Sequence, residues 1–205
     1  MSNQDVTEDE VISIFLKAEV DSSRFGPTIL HLLRERGLDR KIIDQPNLHD
    51  KKENLSRADI LGVYRGYGRN QFLFAKFPRN VNWQRIQCDQ ASLEQIRYVD
   101  CTPWRELSGG TLRIADAAER IRNGLEDSAT TGTIISTIRE TARALKSGRQ
   151  VAEVILVADR LSPQRTAIEG HNRLTAFLLN GIAVPLSVIL GTVSDLSDWR
   201  SINWS

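Results

Sequence analysis

Apolar residues recur at helical spacing in several stretches of the chain. The first covers residues 7–20, where Thr7 and Glu10 make a capping box and Val11, Ile14, Phe15 and Ala18 define one face. A second helix follows Gly26-Pro27, carries Ile29, Leu30, Leu32 and Leu33, and stops at Gly37. Residues 112–123 return to the pattern through Ile114, Ala117 and Ile121, with Gly124 as the stop. Ile134, Ile135, Ile138, Ala142 and Leu145 form an amphipathic helix ending at Gly148. Another runs from Gly170 through Leu174, Phe177 and Leu178 to Gly181.

Between these lie strand signals. Residues 71–77 and 81–86 read as strands separated by the turn-forming Pro78-Arg79-Asn80, and residues 97–100 as a short one. Residues 154–158 are a continuous apolar run, expected as a buried strand. Ser162-Pro163-Gln164 is a turn, and residues 166–168 and 185–190 supply two more strands. Residues 44–54 are polar, with Pro46 and a Lys51-Lys52 pair, and predict a surface loop. The C-terminal order of helix, strand, strand, helix, strand predicts an α/β (α+β) fold, a small mixed sheet with helices around it.

One strand-to-helix turn carries chemistry: Glu169-Gly170-His171-Asn172-Arg173. Arg173 falls in the first helical turn, where free backbone N–H groups and the macrodipole already make the site positive. A cation there is unfavourable unless an anion shares the space. Gly170 lets a bound group approach the backbone, and His171 and Asn172 add hydrogen-bonding groups, so the turn is a phosphate-site candidate. The competing reading is that Arg173 pairs with Glu169 (i, i+4) and closes the turn. Physics alone leaves the two open.

Composition narrows the partners. Lys plus Arg is 27 and Asp plus Glu is 26, without the basic excess expected of a protein held on nucleic acid by phosphate contacts. Cys88 and Cys101 are the two cysteines and form no CxxC, which fits a reducing compartment. The start, MSNQDVTEDE, is acidic and polar, and no apolar run approaches the roughly 18 residues of a bilayer span. A soluble, cytoplasmic protein is the expectation.

The segment from Ile134 through Gly191 resembles the ParB/sulfiredoxin superfamily. The resemblance rests on Val154-Ile155-Leu156-Val157, on Ile168 through Ala176 with its Gly-x-x-Arg, and on Ile182-Ala183-Val184-Pro185. It implies nucleotide phosphates bound at Gly170, His171, Asn172 and Arg173. Sulfiredoxins read Gly-Cys-His-Arg; His171 stands in place of that Cys and argues against sulfinic acid reduction. Partition proteins continue into a DNA-binding helix-turn-helix, for which the roughly 30 residues after the motif leave no room. Free-serine kinases read Asp-Gly-His-His-Arg, the most similar pattern, with Glu169 for Asp and Asn172 for the second His.

The resemblance therefore implies a kinase using ATP or ADP with Mg²⁺ on a small hydroxyl-bearing molecule such as an amino acid. Such a kinase needs a base for the acceptor hydroxyl. By position, the family's catalytic Glu corresponds to Glu106, which also reads as an ordinary surface carboxylate; Asp116 is second choice. Glu169 could bind Mg²⁺ or act as the base, and His171 is a further catalytic candidate. The rival readings are a nucleotide-switched or DNA-associated binding protein without kinase activity, and a nuclease or hydrolase of the superfamily. Residues 101–205 are expected to form the core, with residues 1–100 an extension packed on it and shaping the acceptor site.

Other signals are weaker. Leu107-Ser108-Gly109-Gly110 copies a transporter-ATPase signature, but the chain has no GxxxxGK[ST]. Gly66-Tyr67-Gly68-Arg69 starts like a dinucleotide fingerprint, yet Gln71 replaces the third Gly. Arg65 and Arg69 could grip an anionic substrate there, against a plain tight turn. His31, His49 and His171 lack metal-ligand spacing, so no metal site within the protein is expected.

Overall fold

The computed structural model describes residues 3–160, 162, 164–181 and 185–202. After the two-residue strand β1 (Gln4–Asp5), Thr7 caps α1 (Glu8–Glu19) by accepting from the Glu10 amide at 3.2 Å. Acidic residues in the first turn complement the helix dipole. Next come α2 (Gly26–Glu35), with Pro27 in its first turn, α3 (Lys41–Asp44) and α4 (Lys51–Arg65). Strand β2 (Asn82–Cys88) leads to α5 (Gln90–Glu94), α6 (Thr102–Leu107), α7 (Ile114–Arg122) and α8 (Ile134–Lys146). Then follow β3 (Val154–Asp159), β4 (Thr166–Glu169), α9 (His171–Asn180), β5 (Leu186–Val193) and α10 (Ser197–Arg200).

The strands form one mixed sheet in the order β1-β2-β5-β3-β4, with β3 and β5 parallel and the other neighbours antiparallel. This is the expected α/β class. All six residues of β3 are buried because helices cover both faces of the sheet. Ile155 and Val157 join a core with α1 to α4, Trp83 and Trp199. Val154 and Leu156 join a second core with α5 and α7 to α9. The alternation of β3 thus sorts one apolar run into two cores. Strand β2 pairs with β5 along its whole length, so the sheet draws on both sides of residue 100.

Some local expectations need correction. Residues 71–77 are not a strand: Phe72–Phe74 is a 3₁₀ turn, and Asn70, Phe72 and Lys76 all have positive φ. The chain doubles back here, since a Cβ on Gly66 would lie 1.8 Å from the Gln71 carbonyl oxygen. Leu73 and Phe74 are consecutive and both buried, which a strand alternating over one core would not give. The loop at 44–54 ends early, because the Asp50 carboxylate accepts from the Lys52 and Glu53 amides at 2.8 and 3.2 Å and starts α4. That helix hides from a periodicity scan because Asn54 and Arg57 occupy its buried face. Arg57 donates to the Ile42 and Asn47 carbonyls at 2.9 and 3.3 Å.

Arg97 makes isolated bridges to Arg113 and Thr166 in place of a strand at 97–100. Pro163 of the expected 162–164 turn, and Ile182, Ala183 and Val184, lie outside the described residues. Among the described residues no helix is long and apolar enough to cross a membrane.

Candidate functional site

The turn between β4 and α9 is built on Gly170, which caps the helix at φ 93°. A Cβ there would stand 2.4 Å from Val154 Cγ1, so both conformation and space require glycine. Among the described residues no side chain caps α9, and its first i→i−4 bond runs from the Leu174 amide to the Gly170 carbonyl at 2.9 Å. The amides of His171, Asn172 and Arg173 precede that bond, at the positive end of the helix. Arg173 is already engaged: Nη2 lies 2.5 Å from Glu169 Oε1, and Nη1 donates to the Ala152 carbonyl at 2.9 Å. The i, i+4 pair read from the sequence is present.

A register shift aims Glu169. Leu156 pairs with Ala167, but Ile155 pairs with Glu169, so one step on β3 spans two on β4. The bulge turns Glu169 to the side of Ile155, toward the N-terminal helices. There Glu19, at the end of α1 and 4 % exposed, accepts from Tyr64 Oη at 2.6 Å and faces Arg65 Nη2 at 3.5 Å. Burial pushes the Glu19 carboxyl up to about 7; Arg65 opposes this, and the Glu169 charge adds to it. The same burial, with Glu19 beside it, raises the Tyr64 phenol.

Of the two substrate-contact candidates, only Arg65 belongs to this cluster. Its guanidinium lies over Phe25 at 4.5 Å and Phe15 at 5.5 Å. Arg69 instead pairs with Asp59 at 2.5 Å on an exposed surface.

His171 stacks on Trp104 with ring centroids 5.0 Å apart, and Trp104 stacks on Tyr98 at 4.6 Å. The Tyr98 hydroxyl is 2.5 Å from Thr175 Oγ1. Burial, helped by Arg65, Arg173 and Arg24, pulls the imidazole down to about 3, against a hydrogen bond to the Ala167 backbone. The ring is therefore neutral near pH 7. Its Nε2 is buried and has no partner among the described residues, as is Asn172 Oδ1.

Glu106 lies on α6, the helix whose Trp104 stacks on His171. It is exposed and accepts from Ser128 Oγ at 2.5 Å; that bond, then one with Thr130, holds its carboxyl below the usual range. Asp116 faces Arg113 at 3.8 Å. No group of three or more His, Cys, Asp or Glu is placed to hold a metal among the described residues. Sequence reading missed Glu19, Tyr64, Tyr98 and Trp104. Glu19 did leave a signal: it lies four residues after Phe15, a carboxylate continuing an apolar stripe.

Comparison with known proteins finds no family model that matches the chain, and no matching curated protein or solved structure.

Proposed function

We propose that the chain is a nucleotide-dependent phosphotransferase of the ParB/sulfiredoxin-like kind, acting on a small hydroxyl-bearing molecule such as an amino acid. One observation carries the reading: α9 begins at an αL glycine, and among the described residues no side chain caps it and two buried polar atoms beside it lack partners. Backbone amides at such an end suit phosphate oxygens. The unpartnered Nε2 of the neutral His171 ring suits a hydroxyl, which can donate or accept.

In this reading Gly170, His171, Asn172 and Arg173 hold the phosphates. Glu19 joins Glu106 as a candidate acceptor base, since such a base works best when its pKa lies near the working pH. Glu169 links the two parts, pairing with Arg173 while its charge raises Glu19. A Mg²⁺ ion arriving with ATP or ADP needs only one or two protein carboxylates, and Glu169 is the carboxylate of the turn that fits this need; when bound, the ion neutralises phosphate charge.

Calorimetric titration with Mg-ATP and Mg-ADP tests the site. Binding that Arg173→Ala weakens by about tenfold or more supports it. Absence of binding at millimolar nucleotide, or identical binding by the variant, overturns it.

A further inference from the structure

A cavity of about 590 Å³ opens between α1, α4 and the 66–79 segment, with Ile168 of β4 in its lining. Its size is that of small-molecule sites, roughly 300–1,000 Å³. The floor is aromatic: Phe15, Phe74, Phe77 and Trp83 line it. Phe74 meets Phe77 edge to face, with centroids 5.2 Å apart, so the floor is a packed surface.

The rim is charged and balanced. Glu8 contributes an exposed carboxylate in the first turn of α1, near the Tyr67 hydroxyl, whose pKa burial and then Glu8 raise. Arg79 contributes an exposed guanidinium with no ion pair among the described residues. In the wall, Trp83 is 7 % exposed, and its indole N–H is buried without a partner among the described residues. The segment forming the mouth holds Phe72 and Lys76 at positive φ, a conformation that persists only where the surroundings impose it and that clusters at ligand clamps.

We infer that this cavity binds an apolar zwitterion, a free amino acid or dipeptide with an aromatic side chain. The ring rests on the aromatic floor, the carboxylate meets Arg79 and the ammonium meets Glu8. A purely anionic or purely cationic arene satisfies one rim charge and is repelled by the other, so the two charges together select the class. The inference stands apart from the nucleotide reading, because the cavity and its rim are complete without a bound phosphate.

The test is calorimetry on nucleotide-free protein with L-phenylalanine, the dipeptide Leu-Phe, phenethylamine and 3-phenylpropionate. At least one zwitterion is expected to bind at submillimolar concentration, with both truncated compounds about tenfold weaker. The tighter of the two zwitterions identifies the source. Arg79→Ala should reduce L-phenylalanine to the level of phenethylamine, and Glu8→Gln to that of 3-phenylpropionate; both positions are exposed. No binding by either zwitterion at millimolar concentration overturns the inference, as does equal binding of a truncated compound or indifference to both rim variants.

Discussion

Glu169 and Arg173 close the β4–α9 turn as an ion pair, Oε1 to Nη2 at 2.5 Å, with each side chain 13 % exposed. The carboxylate places the anion that a first-turn arginine needs at a helix amino end. A phosphate entering the same turn competes with Glu169 for that guanidinium. Glu169→Gln should therefore bind nucleotide in the absence of Mg²⁺ several-fold more tightly than the wild type. It should also lower the pKa of Glu19, because the Glu169 charge helps raise it. Carboxylate titration by carbon NMR reads the second effect, and an unchanged Glu19 would break the electrostatic link between the two residues.

Gly170→Ala should destabilise the fold by about 2–4 kcal/mol, adding positive-φ strain to a buried overlap. The overlap is with Val154 Cγ1, 2.4 Å from the new methyl position. Urea unfolding measures the loss. Pairing the change with Val154→Ala should recover part of it; no recovery would locate the cost elsewhere.

Glu19 makes stability fall as pH rises. Its folded pKa of about 7 stands above the ordinary 4.5, so the native state keeps a proton that the unfolded chain releases. The contribution is whole below about 4.5 and lost as pH climbs through about 7. Relative to wild type, Glu19→Gln should gain up to roughly 3 kcal/mol between pH 4.5 and pH 8. Unfolding midpoints at those two pH values decide it, and a pH-independent difference would contradict the buried, proton-holding carboxyl.

His171 acts in the opposite direction. Its folded pKa of about 3 lies below the ordinary 6.5, so the unfolded chain binds a proton that the native ring refuses. Stability from this residue is present above 6.5 and lost as pH falls toward 3. His171→Phe keeps an aromatic ring on Trp104 and removes the titration, so the variant should lose less stability than wild type between pH 7 and pH 4. Thermal melts across that range test this.

The fold was legible where one face of an element is uniformly apolar. The β3 run and the Ile134–Leu145 stripe announce themselves, and glycines at 124, 148 and 181 mark helix ends because αL residues stop helices. Helix α4 was not legible, since Arg57 and Asn54 replace apolar residues on its buried face and satisfy local carbonyls instead. Residues 71–77 misled because Phe72 and Phe74 alternate like a strand, while the close approach of Gln71 to Gly66 depends on tertiary folding. At the site, the Glu169–Arg173 pair was readable from i, i+4 spacing. Its partner Glu19 was not, because a β-bulge 150 residues away decides which way Glu169 points.

The central claim is phosphoryl transfer at the 169–173 turn. The direct measurement incubates the protein with ATP, ADP or CTP, Mg²⁺ and a panel of hydroxy-amino acids, and follows the acceptor by mass. The account predicts an acceptor heavier by one phosphoryl group with wild type, and transfer lost in both Arg173→Ala and Glu19→Gln. No transfer by the folded wild type, or transfer undiminished in Arg173→Ala, would contradict it.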